Sequence, residues 1–127
     1  MTSDQQFLNE LSQTVIGLAF KVANALGRGF VEQVYENALA HELTKQSVRF
    51  KQQDPLVVVY DGAIVGDFRI DLVVEGQLIV EIKAVAELSR AHEGQLQNYL
   101  KASRLKLGLL LNFGAQSVQI SRRVNGL

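Results

Sequence analysis

An α/β fold, a mixed β-sheet with helices packed against it, is what this sequence predicts. Three observations carry the expectation. Apolar residues recur every three or four positions in two N-terminal stretches and in a third near residues 89–102. Runs rich in β-branched residues fill the middle and the end of the chain, and glycine-containing turns join neighbouring runs. The predicted order is α, α, β, β, β, α, β, β in a single domain spanning residues 1–127.

The first helix is expected over about residues 5–26, where Phe7, Leu8, Leu11, Val15, Leu18, Ala19, Val22 and Leu26 form one apolar stripe. Gly27 suits its C-terminal cap. The second runs from about residue 30 to 45 through Val31, Val34, Tyr35, Ala38, Leu39 and Leu43. Gly27 and Gly29 could suggest a phosphate-cradling loop, but no strand precedes them, and a turn explains them better. Val48-Arg49-Phe50 and Leu56-Val57-Val58-Val59-Tyr60 read as short strands, the latter ending in the hairpin signal Asp61-Gly62. A central hairpin covers 67–83 with its turn at Glu75-Gly76-Gln77. The third helix follows at 89–102, and strands at 105–112 and 117–123 flank the turn Phe113-Gly114-Ala115.

A chain of this length can bury a hydrophobic core unaided. Apolar residues make up 47%, charged residues 20%, and there is one proline, which places the chain among globular rather than disordered proteins. Without cysteine it has no disulfide or thiolate metal site, which suits a reducing cytoplasm. No basic segment leads into an apolar run at the N-terminus, and no apolar stretch is long enough to cross a bilayer, so a cytoplasmic protein with no membrane partner is expected. Thirteen basic and thirteen acidic residues cancel, which argues against a general nucleic-acid coating protein. Beyond Leu88, however, Arg90, Lys101, Arg104, Lys106, Arg122 and Arg123 face the lone acid Glu93. That excess could track a phosphate backbone, or it could be the solvated side of a helix and a strand.

The most informative residues are Asp71 and, ten positions later, Glu81-Ile82-Lys83. Strand alternation puts Glu81 and Lys83 on one side with Ile82 opposite. Two acids and a lysine gathered on a central hairpin make a site for a divalent metal and a phosphodiester. A surface cross-pair on an edge strand is the bland alternative, and the apolar Leu78-Ile79-Val80 beside them argues against it. Glu32 and Tyr35 share a face of the second helix, and Gln95 and Tyr99 a face of the third. Helices also carry such pairs simply where solvent meets core. His92 could face the same cleft or be a helix-start residue at the surface; His41 reads as solvated. Tyr60 and the six phenylalanines read as core or edge packing, without the interleaved bases of a stacking platform.

Gly29-Phe30-Val31-Glu32-Gln33-Val34-Tyr35 resembles the signature of a small bacterial family named for it, the Gly-x-x-Glu-x-x-Tyr proteins of the PD-(D/E)XK nuclease superfamily. The resemblance extends over nearly the whole chain, through Val34-Tyr35-Glu36-Asn37-Ala38-Leu39, Asp71, Glu81-Ile82-Lys83, Gln95-Leu96-Gln97-Asn98-Tyr99-Leu100 and Leu107-Gly108-Leu109-Leu110-Leu111-Asn112-Phe113-Gly114. It implies a restriction-endonuclease-like core. It also implies that Asp71 and Glu81 are metal-binding acids, Lys83 the active-site lysine and Glu32 a helical acid completing the metal shell. Gln95 and Tyr99 resemble a Gln-x-x-x-Tyr motif of the same superfamily. Ile70 stands where proline often precedes the first acid. Arg28 stands where relatives often have proline and Ala23 where they often have histidine, and the missing histidine weakens any auxiliary role for the first helix.

The expected activity is therefore a nuclease using Mg²⁺ or Mn²⁺, acting on DNA in preference to RNA. Mg²⁺ keeps several waters, so two or three acids suffice to anchor it. The competing reading is a nuclease-like fold that binds nucleic acid or a protein without cutting, supported by the small size and balanced charge. A purely structural or assembly protein would leave the acid-acid-lysine arrangement unexplained. A homodimer is a further expectation, since many small nucleases pair subunits to act on two strands.

Overall fold

Thr2 starts the first helix reciprocally: its hydroxyl accepts from the Gln5 N–H, and the Gln5 side-chain oxygen accepts from the Thr2 N–H. From there α1 runs Ser3–Leu26 in the computed structural model, which describes residues 2–127. Gly27, at φ 71, ends it in a conformation that glycine adopts without strain. The next helix, α2 (Glu32–Lys45), is tied to this turn by Tyr35. The Tyr35 hydroxyl donates to the Gly27 carbonyl at 2.6 Å and accepts from the Phe30 N–H, and its ring stacks on Phe113 with centroids 4.7 Å apart. Tyr35 is fully buried, so the tyrosine of the signature holds the helix–helix turn.

Strands β1 (Phe50–Tyr60), β2 (Ala63–Val74) and β3 (Leu78–Lys83) follow, then α3 (Arg90–Ser103), β4 (Leu107–Asn112) and β5 (Gln119–Val124). They form one sheet in the order β1-β2-β3-β4-β5. β3 and β4 are parallel and the other neighbours antiparallel, so α3 is the crossover that a parallel pair requires. Both β3 and β4 are buried almost throughout, as strands covered on two faces should be. One core joins α1 and α2 to Leu72, Val74, Leu78, Val80 and Ile82, and the other joins α3 to Ile70, Val73, Ile79 and Leu110.

The predicted element order is the observed one, with two differences. The segments expected at 48–50 and 56–60 belong to one continuous strand, β1, through Lys51-Gln52-Gln53-Asp54-Pro55. This is an edge strand, in which Lys51, Gln52 and Gln53 are exposed and Pro55 need not donate to a ladder. The packing expectation for the aromatics fits Phe113 and half-buried Phe50, but Phe7, Phe20, Phe30, Phe68 and Tyr60 are exposed. Tyr60 sits at the tip of the β1–β2 ribbon, beyond the reach of either core. Among the described residues no helix is long and apolar enough to cross a membrane.

Candidate active site

The β2–β3 ladder pairs Val74 with Leu78, Val73 with Ile79 and Leu72 with Val80, and stops there. In place of the next backbone pair the two acids take over. The Asp71 N–H donates to Glu81 Oε2 at 2.7 Å, and the Ile82 N–H donates to Asp71 Oδ2 at 2.8 Å. Each carboxylate thus satisfies an N–H of the opposite strand where the strands part, as buried backbone donors require. The same point is where β2 changes the direction of its side chains. Leu72 and Val74 enter the α1–α2 core, whereas Ile70 enters the α3 core. Opposite Asp71 in β1 stands Gln53, whose φ is 52 and whose pairing is missing between Gln52↔Leu72 and Asp54↔Ile70.

A third acid joins this pair, and it is Glu36 of α2. It is 3% exposed, accepting from the Gln52 side-chain amide at 2.8 Å and from that of Gln53 at 2.8 Å. The Gln53 amide also donates to Asp71 Oδ1 at 3.1 Å and so links Glu36 to Asp71. Burial first, and then the nearby Asp71 charge, raise the Glu36 pKa above the ordinary carboxylate value. Glu32, the helical acid expected from the sequence, is exposed in the first turn of α2, one turn before Glu36 on the same face. The structure brings Glu36, not Glu32, to Asp71. The readable signal was an acid on the apolar face of α2, since Glu36 shares a stripe with Leu39, Ala40 and Leu43.

Glu81 is the most strained electrostatically. It is 4% exposed, and burial followed by the Asp71 charge pushes its pKa up to about 8; Lys83 and the Asp71 N–H oppose the rise without cancelling it. Lys83 emerges on the same face of β3, half-buried like Asp71, so solvent reaches the group from the Asp71–Lys83 side. Tyr99 of α3 is 7% exposed, and its pKa is raised by burial and then by the charges of Glu81 and Asp71, which places its hydroxyl in their field. Gln95, one turn earlier, is exposed and lines a cleft of about 880 Å³ that Tyr99 also borders. His92 is a cap residue, its Nδ1 accepting from the Ser89 N–H.

Asp71, Glu81 and Glu36 offer hard oxygen donors, a set whose chemistry fits Mg²⁺ or Mn²⁺. Among the described residues no three acidic, histidine or cysteine side chains are grouped closely enough to hold an ion by themselves. Glu36 is held by the side-chain amides of Gln33, Gln52 and Gln53, and each of the other acids is engaged with a backbone N–H.

Residues 9–124 match the profile of the PD-(D/E)XK nuclease superfamily. The fold is similar to that in the crystal structure of SSO0001, with a TM-score of 0.61 at 17% identity over 75% of this chain. The chain spans 50% of the length of that protein. No curated protein matches the sequence.

Proposed function

The chain belongs to the PD-(D/E)XK nuclease superfamily, and on that premise we propose that it hydrolyses phosphodiester bonds, in DNA rather than RNA, with Asp71 and Glu81 anchoring Mg²⁺ or Mn²⁺. One observation carries the reading: two carboxylates meet at the point where the β2–β3 ladder opens, with Lys83 beside them on the same face. A bound ion supplies Lewis-acid polarisation of the phosphoryl oxygen and a water of lowered pKa. The residues do the rest. Asp71 and Glu81 fix the position of the charge, and Glu36 can turn toward them once Gln53 releases it. Lys83 is placed to neutralise charge building on the phosphate, or to orient the attacking water. Tyr99 and Gln95 border the cleft from the α3 side and position the substrate against the acids.

Purified protein with Mg²⁺ or Mn²⁺ should cleave at least one of single-stranded, duplex, nicked or branched DNA. Asp71→Ala and Lys83→Ala should abolish that cleavage. Identical background for the wild type and both variants on every substrate would defeat the enzymatic reading.

A second reading, a nuclease fold that binds without cutting, draws on the burial of Glu81 and the hydrogen bonds that occupy all three acids. Calorimetry separates the two. Heat of Mn²⁺ binding that disappears in Asp71→Ala favours the enzyme, and the absence of any such heat favours the silent fold.

A further inference from the structure

The cleft beside the acids has chemistry of its own. It lies between the β1–β2 ribbon and α3, has a volume of about 880 Å³, and holds an aromatic side chain that is not used as core. Phe68 is 39% exposed, and its ring meets Tyr99 with centroids 5.5 Å apart and planes inclined by 51°. It lies back over Gly66, where an added Cβ would come within 2.7 Å of Phe68 Cε2. The opposite wall is cut away: nothing lies within 4 Å of where a Gly94 Cβ would stand. Gln95, Asn98 and Lys101 complete the rim. A flat apolar surface, two side-chain amides and one ammonium are what a nucleobase and its phosphate ask for: a ring to stack on, donors and acceptors for the base edge, and a cation.

We infer that this cleft takes one unpaired nucleobase stacked on Phe68, which makes single-stranded or frayed nucleic acid the substrate of the neighbouring acids. The inference rests on the nuclease reading for the word substrate, but not for the binding itself. Bases inside a duplex have both faces covered by their neighbours, so only a base outside the stack can enter. Phe68 precedes Asp71 by three residues on β2, about 10 Å along an extended strand. That separation equals about three nucleotide steps at the 3.4 Å rise of a stacked strand, so a base on Phe68 and a phosphate at Asp71 can belong to one short run of the same strand. The occupant fits a nucleic acid better than an apolar peptide, because Lys101 lines the cleft from α3 and Tyr99, which lies in the field of Glu81 and Asp71, joins it to the acids.

The test uses a single-stranded oligonucleotide carrying one 2-aminopurine, titrated with the full-length protein in EDTA so that no metal-dependent cleavage intervenes. Stacking on Phe68 should change the 2-aminopurine fluorescence, and the same fluorophore inside a duplex should not respond. Phe68→Ala should weaken binding roughly tenfold or more, and Phe68→Trp should preserve it. Gly94→Leu should block the cleft from the far wall while melting no lower than the wild type, because leucine favours a helix and its Cβ meets no neighbour. Wild-type affinity in both Phe68→Ala and Gly94→Leu would overturn the inference, as would an equal response from the duplex. A protein that cuts duplex DNA without this fluorescence change refutes the stacking site alone. One that shows the change but never cuts refutes the nuclease reading alone.

Discussion

Replacing Glu81 by glutamine should make the protein more stable, and by an amount that depends on pH. The ordinary carboxylate value is 4.5, and in the folded protein burial and the Asp71 charge push Glu81 up to about 8. Below pH 4.5 the group is protonated whether the chain is folded or not and costs nothing. As pH rises between the two values, folding must retain a proton that the unfolded chain has already released, and stability falls by about 1.4 kcal/mol per pH unit. The loss is about 3 kcal/mol at pH 7 and about 5 kcal/mol above pH 8. A glutamine at this position keeps an oxygen to accept from the Asp71 N–H, carries no charge and adds donors toward a carboxylate.

Denaturant unfolding in EDTA, on the wild type and Glu81→Gln at pH 5 and pH 8.5, checks this. The variant should be more stable by about 3–5 kcal/mol at the higher pH and by about 1 kcal/mol or less at the lower. An equal difference at both pH values, or a variant no more stable than the wild type at pH 8.5, would refute the argument. Either result would mean that Glu81 is solvated or paired well enough to ionise normally.

Two further changes probe the frame around the site. Tyr35→Phe keeps the ring stack on Phe113 but leaves the Gly27 carbonyl and the Phe30 N–H without their partner, and should cost about 1–2 kcal/mol; unchanged thermal stability would show that the turn holds without it. Asn112 is fully buried and binds Val85 through both its backbone groups, the Gly114 N–H and the Gln119 side chain. Asn112→Ala should therefore cost about 3–4 kcal/mol and loosen the connection that follows Lys83, and a shift in denaturant midpoint worth less than about 1 kcal/mol would sink that account.

The order of elements was legible because each element keeps its period. The stripe from Phe7 to Leu26 and the β-branched runs of the central hairpin specify their type locally, and Asp61-Gly62 supplies its own turn. What could not be read is where local periodicity breaks for a tertiary reason. β2 turns its side chains from one core to the other at Asp71, and strict alternation through that residue gives no hint of it. Phe68 reads from the sequence as core or edge packing, whereas its exposure follows from the β1–β2 ribbon reaching past the sheet. The substitution of Glu36 for Glu32 has the same origin. Both acids lie on one helical face, and only the packing of α2 over the sheet decides which of the two turns is level with Asp71.

On the proposed function, the cost carried by Glu36 and Glu81 is what distinguishes a cation-binding site from a scaffold. A domain of this size is stable by about 5–15 kcal/mol, so a penalty of about 3 kcal/mol at neutral pH from one side chain takes up a fifth or more of the whole. A scaffold gains nothing from it, since glutamine would fill the same space and make the same bond to the Asp71 N–H. A ligand that favours the charged form changes the balance: a cation present at a hundred times its dissociation constant stabilises the folded state by about 2.7 kcal/mol, close to what the buried carboxylate costs. On the proposed function, the interlocked Asp71–Glu81 pair and the glutamine-held Glu36 form one device, in which carboxyl groups that are costly to ionise in the bare protein are available to a cation that favours their charged form.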